Sequence, residues 1–120
     1  MQLPDVNILL YALSGVPPDA GAARRWLQRT LDGEDALGLS ELVLSAVVRV
    51  ATRSPFGGPE FAPAVWEFVS DLHGHPNVTI VRPGADHWRI FMELCELPGV
   101  TGNRVPDAYH AALAIESGCT

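Results

Sequence analysis

The pattern that most restricts this chain is an alternation of short apolar runs with amphipathic stretches, with no hairpin turn joining any two of the runs. Residues 3–10 (LPDVNILL) are apolar around Asp5 and Asn7 and read as a buried strand running into a helix. Asp19 is suited to cap a helix reaching about residue 31, with Ala23, Trp26, Leu27 and Leu31 on one face and Arg24, Arg25 and Arg29 mostly off it. Residues 36–40 (ALGLS) form a short second strand. Ser40 then caps a helix to about residue 53, and residues 54–59 (SPFGGP) break it. Ala62, Val65, Trp66, Val69 and Leu72 mark the next helix, residues 73–77 a turn, and residues 78–81 (VTIV) a third strand. Residues 86–97 are helical with Trp88, Phe91 and Leu94/Cys95 inward, and a last helix over 106–117 is stopped by Gly118.

Strands that alternate with helices predict an α/β domain of three layers: a parallel sheet with helices on both faces. The length of 120 residues suits a single domain over 1–120, and 48% hydrophobic against 18% charged residues describes a globular chain. Cys95 and Cys119 match no metal or redox spacing, which fits a reducing cytoplasm. The N-terminus has no basic segment of a signal peptide, and no apolar stretch approaches membrane-spanning length. The chain stops just after a helix and its glycine, where the pattern calls for another strand. The C-terminus therefore reads as cut short, with the strands that would complete the sheet missing.

A net charge of −6 argues against broad adhesion to nucleic acid, which depends on neutralising phosphates. It leaves room for an RNA substrate at a local patch. All 8 basic residues are arginine, whose planar fork grips phosphate through two donors.

In a parallel sheet all strands end on one edge, where sites collect. Asp5 lies near the end of the first strand, Glu41 opens the helix after the second, and Asp107 lies in the first turn of the last helix. Topology thus sends three carboxylates to one rim, where mutual repulsion calls for a cation or a proton. Mg²⁺ and Mn²⁺ take such oxygen ligands. Asp5 interrupts an apolar run, and a buried charge there needs a partner. Each carboxylate also has a structural reading: Asp5 could cap the helix that follows, and Glu41 and Asp107 lie in first turns, where negative charge suits the helix dipole.

The helix after Glu41 is apolar almost all round except for one stripe of Glu41, Ser45, Arg49 and Thr52/Arg53. Glu41 to Arg49 spans about 12 Å of helix, enough to run from a metal to a phosphate backbone; the other reading is a plain solvent face. Asn7 and Asn103 could orient carboxylates or waters around a metal, or simply cap and turn the chain. His110 shares a helix face with Asp107, and the other histidines carry no signal. Trp26, Trp66 and Trp88 fall at core spacing and are expected inside rather than as platforms for bases. Arg24, Arg25 and Arg29 read as a solvated face.

Three segments carry a family resemblance. Residues 3–12 (LPDVNILLYA) resemble the opening strand of VapC-type PIN domains. Residues 38–41 (GLSE) through 49–53 (RVATR) resemble their second acidic segment, and residues 102–108 (GNRVPDA) with 111–114 (AALA) their third. The resemblance implies a toxin ribonuclease of a toxin–antitoxin pair, held inactive by a VapB-like antitoxin and forming a homodimer. It implies Asp5, Glu41 and Asp107 as the acidic site, and a fourth acidic residue after a strand beyond Gly118. Hydrolysis would use Mg²⁺ on Asp5 and Asp107, with Glu41 as a further ligand or as holder of the attacking water. Two other classes are open: a truncated, inactive module that binds the antitoxin or itself, and a receiver- or phosphatase-like domain. The latter generally needs a lysine, and the chain has none.

Overall fold

The structure is a computed structural model that describes residues 1–14, 19–53 and 58–120. Its elements are α1 (Val6–Ser14), α2 (Asp19–Asp32), β1 (Leu37–Leu39), α3 (Glu41–Ala51), a 3₁₀ turn (Pro59–Phe61), α4 (Ala62–His73), β2 (Val78–Ile80), α5 (His87–Cys95) and α6 (Arg104–Ser117). The side chain of Asp19, expected as a cap, and the breaker at residues 54–57 lie outside the described residues.

The first segment runs from sheet pairing into a helix, as read from the sequence, with the helix already formed at Val6. Only Gln2 makes a bridge, parallel to Leu37, and the apolar run beyond Asp5 is helix rather than strand. The reason is local. Asp5 Oδ1 accepts the Asn7 backbone N–H at 3.0 Å, satisfying a donor that a helix start leaves open. Val6, Leu9, Leu10 and Leu13 then recur at helical spacing and pack into the core. The far end of α1 is held by Arg24, whose Nε–H donates to the Ala12 carbonyl at 2.7 Å. Arg24 is therefore a tie between helices, not only part of a solvated face.

β1 and β2 pair in parallel, with Leu37 opposite Val78 and Leu39 opposite Ile80. Residues 1–3 flank β1 on the other side, and Thr120 pairs beyond them. The Thr120 N–H donates to the Met1 carbonyl at 3.0 Å, and the Leu3 N–H donates to the Thr120 carbonyl at 3.2 Å. All these segments run the same way. Side chains alternate across the sheet. Leu37 and Leu39 enter the core made with α1 to α4, whereas Leu3 and Val81 pack with Leu113 of α6 on the opposite face. Gly38 makes that second face possible: a Cβ there would sit 3.2 Å from Val81 and 3.3 Å from Leu3. The three-layer α/β expectation holds.

Caps and boundaries follow the sequence closely elsewhere. Ser40 Oγ accepts the Val43 N–H at 3.0 Å and starts α3, and Gly118 ends α6 in the left-handed conformation at φ 70°. α6 begins at Arg104, two residues before the proline expected to open it. A proline in a helix's first turn loses no hydrogen bond, so Pro106 is accommodated inside. α5 turns Phe91, Leu94 and Cys95 inward as expected, but not Trp88. His87 and Phe91 are buried, and Trp88 is 64% exposed. His87 Nε2 lies 3.0 Å from the Tyr109 carbonyl, and its ring meets Tyr109 edge-on at 4.3 Å, which joins α5 to α6. Trp66, also expected in the core, is 59% exposed. Both cysteines are free thiols.

Candidate functional site at the carboxyl edge of the sheet

The parallel strands bring their carboxyl ends to one edge, and three chain segments leave that edge with a charged residue. Asp5 follows the first strand as the cap of α1. Glu41 follows β1 as the first residue of α3. Arg82 follows β2, one residue after Val81, whose N–H donates to the Leu39 carbonyl at 2.8 Å.

α6 supplies the fourth. It leads into Thr120, which pairs in parallel with residues 1–3, so the helix runs against the strands and its N-terminus reaches the same edge. His110 fixes the registration, with Nε2 at 3.1 Å from the Leu3 carbonyl. Asp107 lies about 4.5 Å up the helix from His110, and Asp5 lies two residues along the strand from Leu3. Both are displaced the same way. The backbone positions of Asp5, Glu41 and Asp107 thus fall toward one edge of the sheet.

The side chains are a different matter. All three carboxylates are exposed, so the expectation that Asp5 is a buried charge is corrected. Its place in an apolar run reflects a helix cap, and a solvated cap has no need of a counter-charge. Glu41 is engaged elsewhere: Oε2 lies 3.0 Å from His73 Nε2 at the end of α4, and Oε1 lies 3.5 Å from Arg82 Nε. The hydrogen bond from His73, followed by the Arg82 charge, lowers the Glu41 pKa below its usual 4.5 and keeps the carboxylate ionised. Asp107 opens onto a separate groove of about 450 Å³ with Leu94, Leu97, Val100 and Arg104. Among the described residues, no group of three or more His, Cys, Asp or Glu is gathered closely enough to hold a metal ion. Glu41 and Asp107 thus line different grooves.

The donor set nonetheless has the right chemistry for a hard divalent cation, being carboxylate oxygen throughout. Each acid caps or enters the first turn of a helix, where the positive end of the helix dipole offsets repulsion between them. Asn7 and Asn103 are exposed beside Asp5 and just before α6, and Asn103 makes no side-chain cap bond. Ser45 and Arg49 are exposed on α3, and Ser45 lines a groove with Glu41 and His73. His73 and Arg82 escaped the sequence reading. Arg82 could have been found, since the rule that placed Asp5 and Glu41 after strands also places Arg82 after β2. His73 could not, because its role depends on how α4 packs beside α3.

The family model described as PIN domain matches residues 3–120. Ribonuclease VapC43 of Mycobacterium tuberculosis is 34% identical over 117 residues, covering 97% of this chain and 80% of that protein. Ribonuclease VapC25 of the same organism is 32% identical over 120 residues, covering 99% of this chain and 84% of that protein. Ribonuclease VapC37, again from M. tuberculosis, is 34% identical over 117 residues, with 97% and 81% covered.

Proposed function

This chain belongs to the PIN-domain family, and on that premise we propose that it is a VapC-type toxin endoribonuclease hydrolysing RNA phosphodiester bonds at the edge that carries Asp5, Glu41 and Asp107. The observation that carries the reading is the convergence of those acids from three distant segments on one sheet edge, in a chain matched almost end to end by the family.

PIN-domain ribonucleases generally use a divalent metal. Here we take it to be Mg²⁺, with Mn²⁺ as a substitute, held by Asp5 and Asp107 with Glu41 as third ligand or as holder of the attacking water. When bound, such an ion lowers the pKa of a water and stabilises charge on the phosphoryl oxygens in the transition state. The chain's own groups do the rest. His73 and Arg82 keep Glu41 ionised, and the 3.0 Å bond to His73 directs it, so that it can accept a hydrogen bond from water. Asn7 and Asn103 stand beside Asp5 and Asp107 with amides that can orient a carboxylate. Ser45 and Arg49 extend from Glu41 along α3 and offer a hydroxyl and a guanidinium to the phosphate backbone. The partners in this reading are a VapB-like antitoxin and a second copy of the chain, in the cytoplasm. Among the described residues no helix is long and apolar enough to cross a membrane.

The separation of the three carboxylates favours one alternative, an inactive PIN-domain module that binds an antitoxin or itself. One experiment decides between them. Wild type, Asp5→Asn and Asp107→Asn are assayed for cleavage of total RNA with Mg²⁺, and each fold is checked by circular dichroism. The proposal expects cleavage by wild type that chelation abolishes, and a loss of at least about a hundredfold in either folded mutant. Undiminished cleavage by a mutant removes the assigned role. Antitoxin binding by a wild type that cleaves nothing supports the inactive module.

A further inference from the structure

A groove of about 350 Å³ lies between α3 and α4, beginning at Glu41 and His73 and passing Leu44, Ser45 and Val69 to Trp66. A tryptophan 59% exposed is unusual because its burial is worth so much. Among the described residues the Trp66 ring has no aromatic partner and no side-chain hydrogen bond, and the exposed indole lines this groove. At the other end stands Arg82, whose guanidinium is shared with Glu41 at 3.5 Å in a pair more than half exposed on both sides. An exposed pair of that length is weak and exchanges readily for another anion.

We propose that this groove seats a nucleotide of single-stranded RNA, with its base stacked on Trp66 and the phosphate chain held at Arg82. Trp66 lies seven residues before His73 on α4, about 10 Å along the helix from the carboxylate end. The base would therefore belong to the strand on one side of the phosphate at Glu41. An aromatic face and a basic anchor in one channel are the two parts from which single strands are bound without base-edge readout. In a chain of net charge −6 the cation has to be local, and Arg82 supplies one beside Glu41. A protein occupant is the competing possibility. The hydroxyls of Ser45 and Ser70 and the imidazole of His73 argue for a sugar–phosphate chain over a purely apolar helix, with the Glu41 carboxylate turned to His73.

The inference rests on the ribonuclease reading, and its test avoids cleavage altogether. A short unstructured RNA carrying a fluorophore is titrated by anisotropy in the presence of chelator, against wild type, Trp66→Ala, Trp66→Phe and Arg82→Gln. The same titrations use a strand with abasic sites. Trp66→Ala is expected to weaken binding about tenfold on the normal strand, with Trp66→Phe recovering most of it and no effect on the abasic strand. Arg82→Gln is expected to weaken both strands and to reduce the slope of log K against log salt by about 0.7. Unchanged binding by Trp66→Ala, or an equal loss on the abasic strand, overturns the proposal. If Trp66→Ala instead alters the mass in solution or antitoxin binding while RNA affinity stays constant, the groove belongs to a protein. Should wild type bind RNA in this way and cleave nothing under Mg²⁺, the nucleotide seat stands and the ribonuclease reading falls.

Discussion

Glu116 spans the gap between α6 and the loop after β2 with its two carboxylate oxygens. Oε1 accepts the Gly84 N–H at 2.7 Å and Oε2 the Asp86 N–H at 2.8 Å, just ahead of α5. The first of these bonds is the main reason its pKa is lowered from 4.5. A lowered folded-state pKa means that the stabilisation is present above the unfolded value near 4.5 and is lost as pH falls through the lower folded value. Urea midpoints of wild type and Glu116→Gln should therefore differ at pH 7 and converge in the acid range; a difference independent of pH would refute the clamp. Gly84→Ala should disturb the same contact, since a Cβ there would lie 2.8 Å from Glu116 Oε2. None of this was legible in the sequence, where Glu116 is one more acid near a helix end. Trp66 and Trp88 mislead for a related reason. Periodicity gives the helix but leaves two adjacent faces nearly equal, and the neighbouring His87 took the buried place that Trp88 was expected to fill.

At the level of elements, the sequence reading succeeded wherever a cap and an apolar period agreed. Ser40 before Leu44, Val47 and Ala51 is such a case, and the helix it starts was anticipated to within two residues at its end. Ser40→Ala should cost about 0.5–2 kcal/mol in equilibrium unfolding, because the Val43 N–H loses a buried partner; a change below the error of the measurement would show that backbone geometry alone starts α3. The reading of residues 3–10 as a strand running into a helix held in order but did not place the boundary, because strand and helix patterns coincide over a short apolar run. There the deciding contact is Asp5 to the Asn7 N–H, the helix cap that the sequence offers for Asp5 beside a role at a metal. Arg24, bonded to the Ala12 carbonyl, then secures the other end of the same helix.

Across the whole molecule, one sheet separates two cores, and the site is a consequence of that arrangement. β1 is central to it. Leu37 and Leu39 are fully buried beneath α1 to α4, and Gly38 lets Leu3 and Val81 close on the α6 side. Leu39→Ala should destabilise the fold by about 2–5 kcal/mol in chemical denaturation, and a loss under about 1 kcal/mol would mean that this strand is not central. Parallel pairing also explains why the acidic edge could be read from the sequence: any residue leaving a strand's carboxyl end arrives there, whatever its side chain does next. The direction of each side chain could not be read. Glu41 turns to His73 and Arg82 through packing between α3, α4 and β2, which no local pattern encodes.

The central claim is that Asp5 and Asp107 together bind a divalent ion at this edge. Titration of the protein with Mn²⁺, followed by electron paramagnetic resonance of the free ion, tests it without reference to any substrate. The account predicts a saturable site in wild type, competed by Mg²⁺ and weakened at least about tenfold in Asp5→Asn and in Asp107→Asn. Equal Mn²⁺ binding by wild type and both variants would contradict it.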